Sequence, residues 1–388
     1  LQKIVKILQV HTKYRQAGGE DTVVEAEADL LRSAGHDVVQ FQANNPSDDL
    51  SAAGALSLST WNPWAARRIQ AVAEEARPDV AHIHNTWYAL SPSILRPLRE
   101  LGIPVVMTLH NYRLICSNAL LFRDGHPCED CVGTHPWHGV VHRCYRGSLF
   151  ASTAAAVSIS VHQGRQTWER HVDLFLALTE FAKGRFIAGG LTGEKIRVKP
   201  NFVPDPGPRP RRPSVSSILL FVGRLSREKG VDRLLDAWER LPSPAFELVV
   251  VGDGPMRSSL EARAVPGVRF TGSLDQGQVR KWMREARTLV FPSIWYEAQP
   301  IVVLEALASG LPVLGSALGA IPELLEGLGP GWTIPSEDAG AWIEALLGLE
   351  DDQKVDEAGR RARATYEDQF TPRIGLALLE RVYTSVLG

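Results

Sequence analysis

The sequence predicts an α/β protein of two Rossmann-like, parallel-sheet domains, and three observations carry that expectation. Short apolar runs alternate with longer amphipathic stretches along the chain, the pattern of parallel strands joined by crossover helices. The alternation is interrupted by Lys199-Pro200-Asn201-Phe202-Val203-Pro204-Asp205-Pro206-Gly207-Pro208-Arg209-Pro210-Arg211-Arg212-Pro213, six prolines in fifteen residues. Proline fixes φ and removes an amide donor, so this segment reads as a stiff linker. At 388 residues the chain is also long for one core.

Before the linker, residues 5–10, 37–42, 80–84, 105–109 and 174–178 read as strands, with amphipathic helices over 22–34 and 63–75. After it, residues 218–222, 247–251, 268–271, 288–291 and 312–315 repeat the pattern. The expected division is a first domain over 1–203, a second over 204–370, and a closing helix over 371–388 that crosses back to the first. In open parallel sheets ligands bind beyond the carboxyl ends of the strands, which places the expected site in a cleft between two facing sheets.

Composition narrows the function. The chain is 44% apolar and 22% charged with a net charge of −2, ordinary for a globular protein. That balance argues against a nucleic-acid partner, which calls for a basic face. No run reaches the 18 apolar residues of a membrane span. The first ten residues carry Lys3 and Lys6 within their apolar run and read as a first strand rather than a signal peptide, which favours the cytoplasm.

The most informative stretch is Trp295-Tyr296-Glu297-Ala298-Gln299-Pro300-Ile301-Val302-Val303-Leu304-Glu305-Ala306. Pro300 suits the first position of a helix, because its missing N–H would be unpaired there anyway. Glu297 then precedes the helix and Glu305 lies about a turn and a half inside it. The amides of Ile301 and Val302, between the two acids, face any anion at the helix's positive end. An acid near a helix start also serves simply to complement the dipole, so the stretch needs company. It has some. Gly223-Arg224-Leu225-Ser226-Arg227-Glu228-Lys229-Gly230 follows one strand, offering Arg224 and Lys229 to a diphosphate, and the turn Gly252-Asp253-Gly254-Pro255 follows the next.

Arg224 and Lys229 in Gly-Arg-x4-Lys-Gly, the Gly-Asp-Gly-Pro turn, and Glu297-x7-Glu305 followed by Ala-x-Ala-Ser-Gly-Leu-Pro-Val resemble family 4 of the retaining glycosyltransferases. That resemblance implies the GT-B fold and transfer of a sugar from a UDP- or GDP-sugar to a hydroxyl of a glycan, glycolipid or small molecule. It assigns Arg224 and Lys229 to the donor diphosphate, Glu297 to the transferred sugar and Glu305 to the ribose. Gly18 and Gly19, in Gln16-Ala17-Gly18-Gly19-Glu20, resemble the family's glycine loop near donor phosphate and acceptor. His110, in Thr108-Leu109-His110-Asn111-Tyr112, matches a histidine that donates a hydrogen bond near the reacting carbon, although Asn111 stands where relatives have Asp. Glu-Ala-Gln-Pro replaces the more usual Glu-Gly-Phe-Gly, which puts donor-sugar preference at Ala298 and Gln299. No Asp-x-Asp triplet occurs, so the leaving diphosphate is expected to be stabilised without a catalytic metal. The competing readings are an inactive nucleotide-sugar-binding partner of another transferase and a GT-B epimerase.

Two features stand apart. Cys116, Cys128, Cys131 and Cys144 all fall in a loop over 111–147, spaced Cys-x11-Cys-x2-Cys-x12-Cys. A Cys-x2-Cys pair with two flanking cysteines favours a structural zinc over unrelated thiols, or over two disulfides in an oxidising compartment. Trp61, Trp64, Arg67 and Arg68 open a helix with aromatic and basic residues, the chemistry of a peripheral contact with the inner membrane face if the acceptor is lipid-linked.

Overall fold

The computed structural model describes residues 4–13, 18–45, 58–242 and 245–388. The chain separates into two compact units: Leu1–Arg123 with Cys128–Pro200 and Gly375–Gly388, and Asp124–Pro127 with Asn201–Ile374. The main division therefore falls at Pro200/Asn201, inside the proline-rich segment.

The first unit is a six-stranded parallel sheet of β1 (Lys6–Lys13), β2 (Asp37–Asn44), β3 (Val80–Asn85), β4 (Val105–Leu109), β5 (Leu174–Ala177) and β6 (Ile196–Val198). The strand order is β2-β1-β3-β4-β5-β6, so the chain reverses direction across the sheet between β1 and β3. Helix α1 (Gly19–Ser33) buries Val23, Val24, Glu27, Ala28 and Leu31. At its start the Gly18 amide donates to Asp21 Oδ2 at 2.9 Å. Helix α2 (Pro63–Ala76) has proline in its first turn and Asn62 as N-cap, whose Oδ1 accepts from the Trp64 and Ala65 amides at 3.1 Å each. The helix Pro372–Leu387 belongs with this unit over most of its length: Leu379, Val382 and Tyr383 pack into a core with Ile7, Leu31, Val80 and Val106.

The second unit repeats the architecture with β7 (Ile218–Val222), β8 (Glu247–Val251), β9 (Val268–Gly272), β10 (Thr288–Phe291), β11 (Val313–Ser316) and β12 (Thr333–Ile334), ordered β9-β8-β7-β10-β11-β12. All its pairings are parallel. The central strands are buried on both faces, as a parallel sheet covered by crossover helices requires. Its topological reversal lies between β7 and β10. The loops leaving those two strands are the ones that carry Arg224, Lys229 and Glu297.

Four strands, β4, β7, β8 and β10, occupy the residues where the apolar runs placed them. β1 runs three residues further because its pairing with β2 continues in register to Lys13 opposite Asn44. β6 and β12, three and two residues long, were not anticipated. Runs that short carry no periodicity, and only their neighbours make them strands. The linker arginines also differ from a wholly solvated cluster. Arg209 is half-buried and donates to the carbonyls of Met283, at 2.7 Å, and Ala286, whereas Arg211 and Arg212 are exposed.

Close backbone approach sets the loop geometry of the second unit. Gly252 has φ +139°, and a Cβ there would lie 1.9 Å from the Gly223 carbonyl oxygen. Gly230 has φ +67°, and a Cβ would lie 2.1 Å from the Pro292 carbonyl oxygen. Neither position admits a side chain without moving backbone. We expect Gly252→Ala to destabilise the second unit by at least ~2 kcal/mol, read as a lowered urea midpoint, since strain and clash combine there. An unchanged midpoint would show that the two turns are not in contact.

Candidate functional site

In the second unit, the loop after β7 and the loop after β10 are joined by backbone and side-chain bonds. The Ile294 amide donates to the Glu228 carbonyl at 2.9 Å, and Ser293 Oγ lies 3.3 Å from the same oxygen. This seats Lys229 against Glu297, with Nζ 2.6 Å from Oε1. The same carboxylate oxygen accepts from Trp295 Nε1 at 2.8 Å and Ser293 Oγ at 2.9 Å. Glu297 is buried, and the Trp295 ring, its centroid 5.2 Å from Lys229 Nζ, walls the ammonium on a second side. Three donors on one oxygen hold Glu297 in a single orientation. Arg224 is exposed, at the start of the same loop.

Helix α3 (Ile301–Ala308) begins one residue later than the sequence suggested. Pro300 is the N-cap, at φ −73° and ψ 119°, and not the first helical residue. It offers no side-chain oxygen to the first amides, and the Val303 amide turns back to the Pro300 carbonyl at 3.1 Å. Ile301 and Val302 are therefore the first two helical residues, and Glu305 lies about one turn in. Glu305 Oε1 accepts from Gln276 Nε2 at 3.2 Å. Burial raises its carboxyl above the ordinary range, only partly offset by Gln276 and Arg280. Gln299 is buried and accepts the Asn201 amide at 2.6 Å on Oε1. Its side chain thus holds the segment that enters the unit, a structural duty that the motif comparison did not suggest.

In the first unit, Gly18 and Gly19 start α1, while Gln16 and Ala17 of the same motif lie outside the described residues. His110 follows β4 and lies on a chain of buried polar groups. Its Nε2 is 3.0 Å from His84 Nδ1, with the two rings stacked at 5.3 Å between centroids. His84 Nε2 is 3.2 Å and His82 Nδ1 is 3.0 Å from Glu27 Oε1, and Lys199 Nζ is 2.8 Å from Glu27 Oε2. His82 also meets Tyr383 Oη at 2.9 Å and Thr108 Oγ1 at 2.8 Å. Burial alone would raise the Glu27 carboxyl, but Lys199 and the two histidines outweigh it and hold it well below the carboxylate range. Burial and the neighbouring His82 press His84 down to about 4, and burial with the field of His84 holds His110 well below its usual value. Both imidazoles are neutral at pH 7.

Sequence reading gave no role to Glu27, His82, His84 or Lys199. A signal did exist: His82-Ile83-His84 places two imidazoles on one face of an otherwise apolar buried strand. Trp87, two residues beyond β3, is held within the first unit. Its Nε1 donates to Tyr145 Oη at 3.1 Å, and the Arg113 guanidinium lies over both rings at 4.7 and 4.6 Å. Cys116 is buried, and Cys128, Cys131 and Cys144 are half-buried.

With this geometry in view, likeness to known proteins is informative. The Glycosyltransferase Family 4 model matches residues 17–205 and the Glycosyl transferases group 1 model matches residues 216–352. The chain belongs to the family 4, group 1 glycosyltransferases, and its two units have the GT-B fold. It is 29% identical over 226 residues to the amylovoran biosynthesis glycosyltransferase AmsK of Erwinia amylovora, covering 54% of this chain and 56% of that protein. It is 27% identical over 397 residues to phosphatidyl-myo-inositol mannosyltransferase of Mycolicibacterium smegmatis, covering 96% of this chain and 91% of that protein. The match to AmsK thus spans only about half of that relative's length. Among solved structures, Anabaena HepE in complex with UDP and glucose aligns with TM-score 0.67 at 18% identity, over 97% of this chain and 99% of that one. Sucrose-phosphate synthase of Thermosynechococcus elongatus aligns with TM-score 0.70 at 17% identity, over 98% of each.

The buried histidines have a pH consequence. His84 has a folded value near 4 against an ordinary 6.5, so between those limits the unfolded chain binds the additional proton. Its stabilising contribution is complete above about pH 6.5 and is lost as pH falls towards 4. We expect the melting temperature to drop across that window, and the drop to be shallower in His84→Gln. Identical pH slopes in the two proteins would show that His84 is not buried neutral.

Proposed function

We propose that this chain transfers a sugar from a nucleotide diphosphate-sugar, a UDP- or GDP-sugar, to a hydroxyl acceptor with retention at the anomeric carbon. The observation that carries the proposal is the Lys229–Glu297 contact directly ahead of α3, with Glu305 one turn inside that helix. A cation, a helix start and two carboxylates thus occur together in one unit. Relatives named as glycosyltransferases, and a structural neighbour described with UDP and glucose, support the same reading.

In this reading the second unit holds the donor. Arg224, Lys229 and the amides of Ile301 and Val302 meet the diphosphate, so its charge is stabilised on departure without a bridging cation. Glu305 takes the ribose hydroxyls. Glu297, its other oxygen saturated by Lys229, Trp295 and Ser293, meets the transferred sugar. The buried Gln299 Nε2, which has no protein acceptor, is available to a sugar hydroxyl and makes this residue a candidate for donor preference. Retention fits front-face attack, in which the leaving phosphate oxygen takes the acceptor proton.

The first unit is assigned to the acceptor, with Gly18 and Gly19 supplying backbone close to phosphate and acceptor. His110 acts as a neutral imidazole. Its Nε2 lies 3.0 Å from His84 Nδ1, which orients the ring so that Nδ1 can meet a sugar or acceptor hydroxyl. No helix among the described residues is long and apolar enough to cross a membrane. Trp64, 66% exposed, and Trp61, 37% exposed, stand beside exposed Arg67 and Arg68. They support a protein working in the cytoplasm that touches the inner membrane face when its acceptor is lipid-linked.

Two tests follow from these roles. Glu305→Ala is expected to raise the donor KM severalfold or more, and Lys229→Ala to lower turnover at least ~tenfold, the scale of removing one transition-state charge partner. Unchanged donor kinetics in both variants would overturn the site assignment. A thermal-shift panel of nucleotide sugars identifies the donor, since a ligand present at 100 times Kd stabilises by about 2.7 kcal/mol. With the best donor and no acceptor, slow release of nucleoside diphosphate is expected. Binding without any release points instead to an inactive binding partner.

A further inference from the structure

The loop that follows His110 has little regular structure to hold it. Beyond β4 it contains two two-residue strands, Phe122–Arg123 and His126–Pro127, and one four-residue helix, His138–Val141. Ala119, Leu121, Asp124, Arg143 and Arg146 all have positive φ, between 49° and 66°, which costs free energy for residues bearing a Cβ. Something other than secondary structure must hold this backbone.

The four cysteines of the chain converge within it. Cys116 ends a turn whose amide donates to the Tyr112 carbonyl at 2.9 Å. Cys128 and Cys131 flank a tight turn in which the Val132 amide donates to the Glu129 carbonyl at 2.8 Å, and the Asp130 amide approaches the Cys128 sulfur. Cys144 follows the short helix, its amide donating to the Gly139 carbonyl at 2.9 Å. All four line one small cavity of about 20 Å³ with Asn118, Arg123 and His138. A volume of that order holds one monatomic ion and excludes an iron–sulfur cluster or an organic ligand.

The walls of the cavity are braced. Gly139 packs so closely on Ser117 that a Cβ would lie 2.6 Å from its Oγ, and Arg185 Nη1 is 2.6 Å from Glu129 Oε2, tying the Cys128–Cys131 turn to the helix Glu180–Ala188. Arg123, paired with Asp130 at 2.8 Å, brings positive charge to the cavity lining, as suits a site that gathers thiolates. The cysteines are thiols and not disulfide partners.

We propose that Cys116, Cys128, Cys131 and Cys144 bind a single structural zinc ion as a tetrahedral set of four thiolates. Four soft sulfur ligands in a closed site select zinc among common cellular divalent ions. Binding draws the sulfurs inward. Cys116, whose Sγ donates to Asn118 Oδ1 at 2.9 Å, must turn from that partner as its proton is released. Among the described residues the group with three candidate ligand atoms already within 4.8 Å is instead Glu27, His82 and His84. The Lys199 ammonium already neutralises that carboxylate, so a dication there would meet a cation. The zinc would staple the loop that begins immediately after His110, and so steady that side of the first unit independently of what the protein transfers.

The test is elemental analysis of the full chain produced in zinc-supplemented medium and dialysed against metal-free buffer. We expect close to one zinc per chain, released as four thiols are titrated with a mercurial, and a melting temperature lowered by at least several degrees on removal. Cobalt reconstitution of the emptied protein should give the visible bands of tetrahedral thiolate coordination. Cys128→Ser with Cys131→Ser should abolish metal retention. If that variant does not fold, the stoichiometry and cobalt spectrum of the unaltered chain still decide the matter. Folded protein with less than about a tenth of an equivalent of zinc, and no cobalt bands on reconstitution, would overturn the proposal, as would an intact mass showing two disulfides.

Discussion

The first unit is organised around one buried carboxylate. Glu27 lies on a helix face that should be apolar, and it is fully buried beside a buried Lys199. Taking either charge out of water alone would cost several kcal/mol, so the two tolerate burial only together. His82 and His84 lie beside the other oxygen, 3.0 and 3.2 Å from Oε1. The result ties α1, β3, the residue after β6 and, through Tyr383, the last helix to one point. His110 is at the end of that chain. Its ring is stacked on His84 and hydrogen-bonded to it on one side, so its orientation depends on the same buried cluster.

In the second unit the equivalent constraint is space. Gly230, Gly252 and Gly254 let the loops leaving β7, β8 and β10 come closer than any side chain allows, and Lys229 and Glu297 meet as a consequence. Parallel sheets leave such loops at the carboxyl ends of adjacent strands, where the order reverses. Backbone approach and a charge-assisted contact therefore support each other: the glycines permit the spacing, and three donors on Glu297 Oε1 stabilise it. Glu305 belongs to the same design through the helix that starts at Ile301. Burial there raises its carboxyl above the ordinary range.

Much of this could be read from the residues. Central strands announced themselves because burial on both faces demands unbroken apolar runs, which is why β7, β8 and β10 fell where expected. The constellation of the second unit was also readable, because Arg224, Lys229, Glu297 and Glu305 lie in local motifs whose spacing reflects a turn or a helix. Edge strands β6 and β12 were not, since they owe their existence to a neighbour. Pro300 was placed one position too far into its helix because proline suits both the N-cap and the first turn, and only the backbone angles distinguish them.

What depended on local pattern, then, was visible in the chain itself: two parallel sheets, the glycine turns, the family, and the paired glutamates. What depended on residues far apart in sequence was not. Glu27 and Lys199 are 172 positions apart, His82 and Tyr383 are 301 apart, and Gln299 and Asn201 are 98 apart. Periodicity and spacing describe a few turns of chain, whereas a buried charge is satisfied by whichever partner the fold brings to it. Folding alone therefore decided that His110 is neutral, that Gln299 holds the entering strand of backbone, and that four thiols line one cavity.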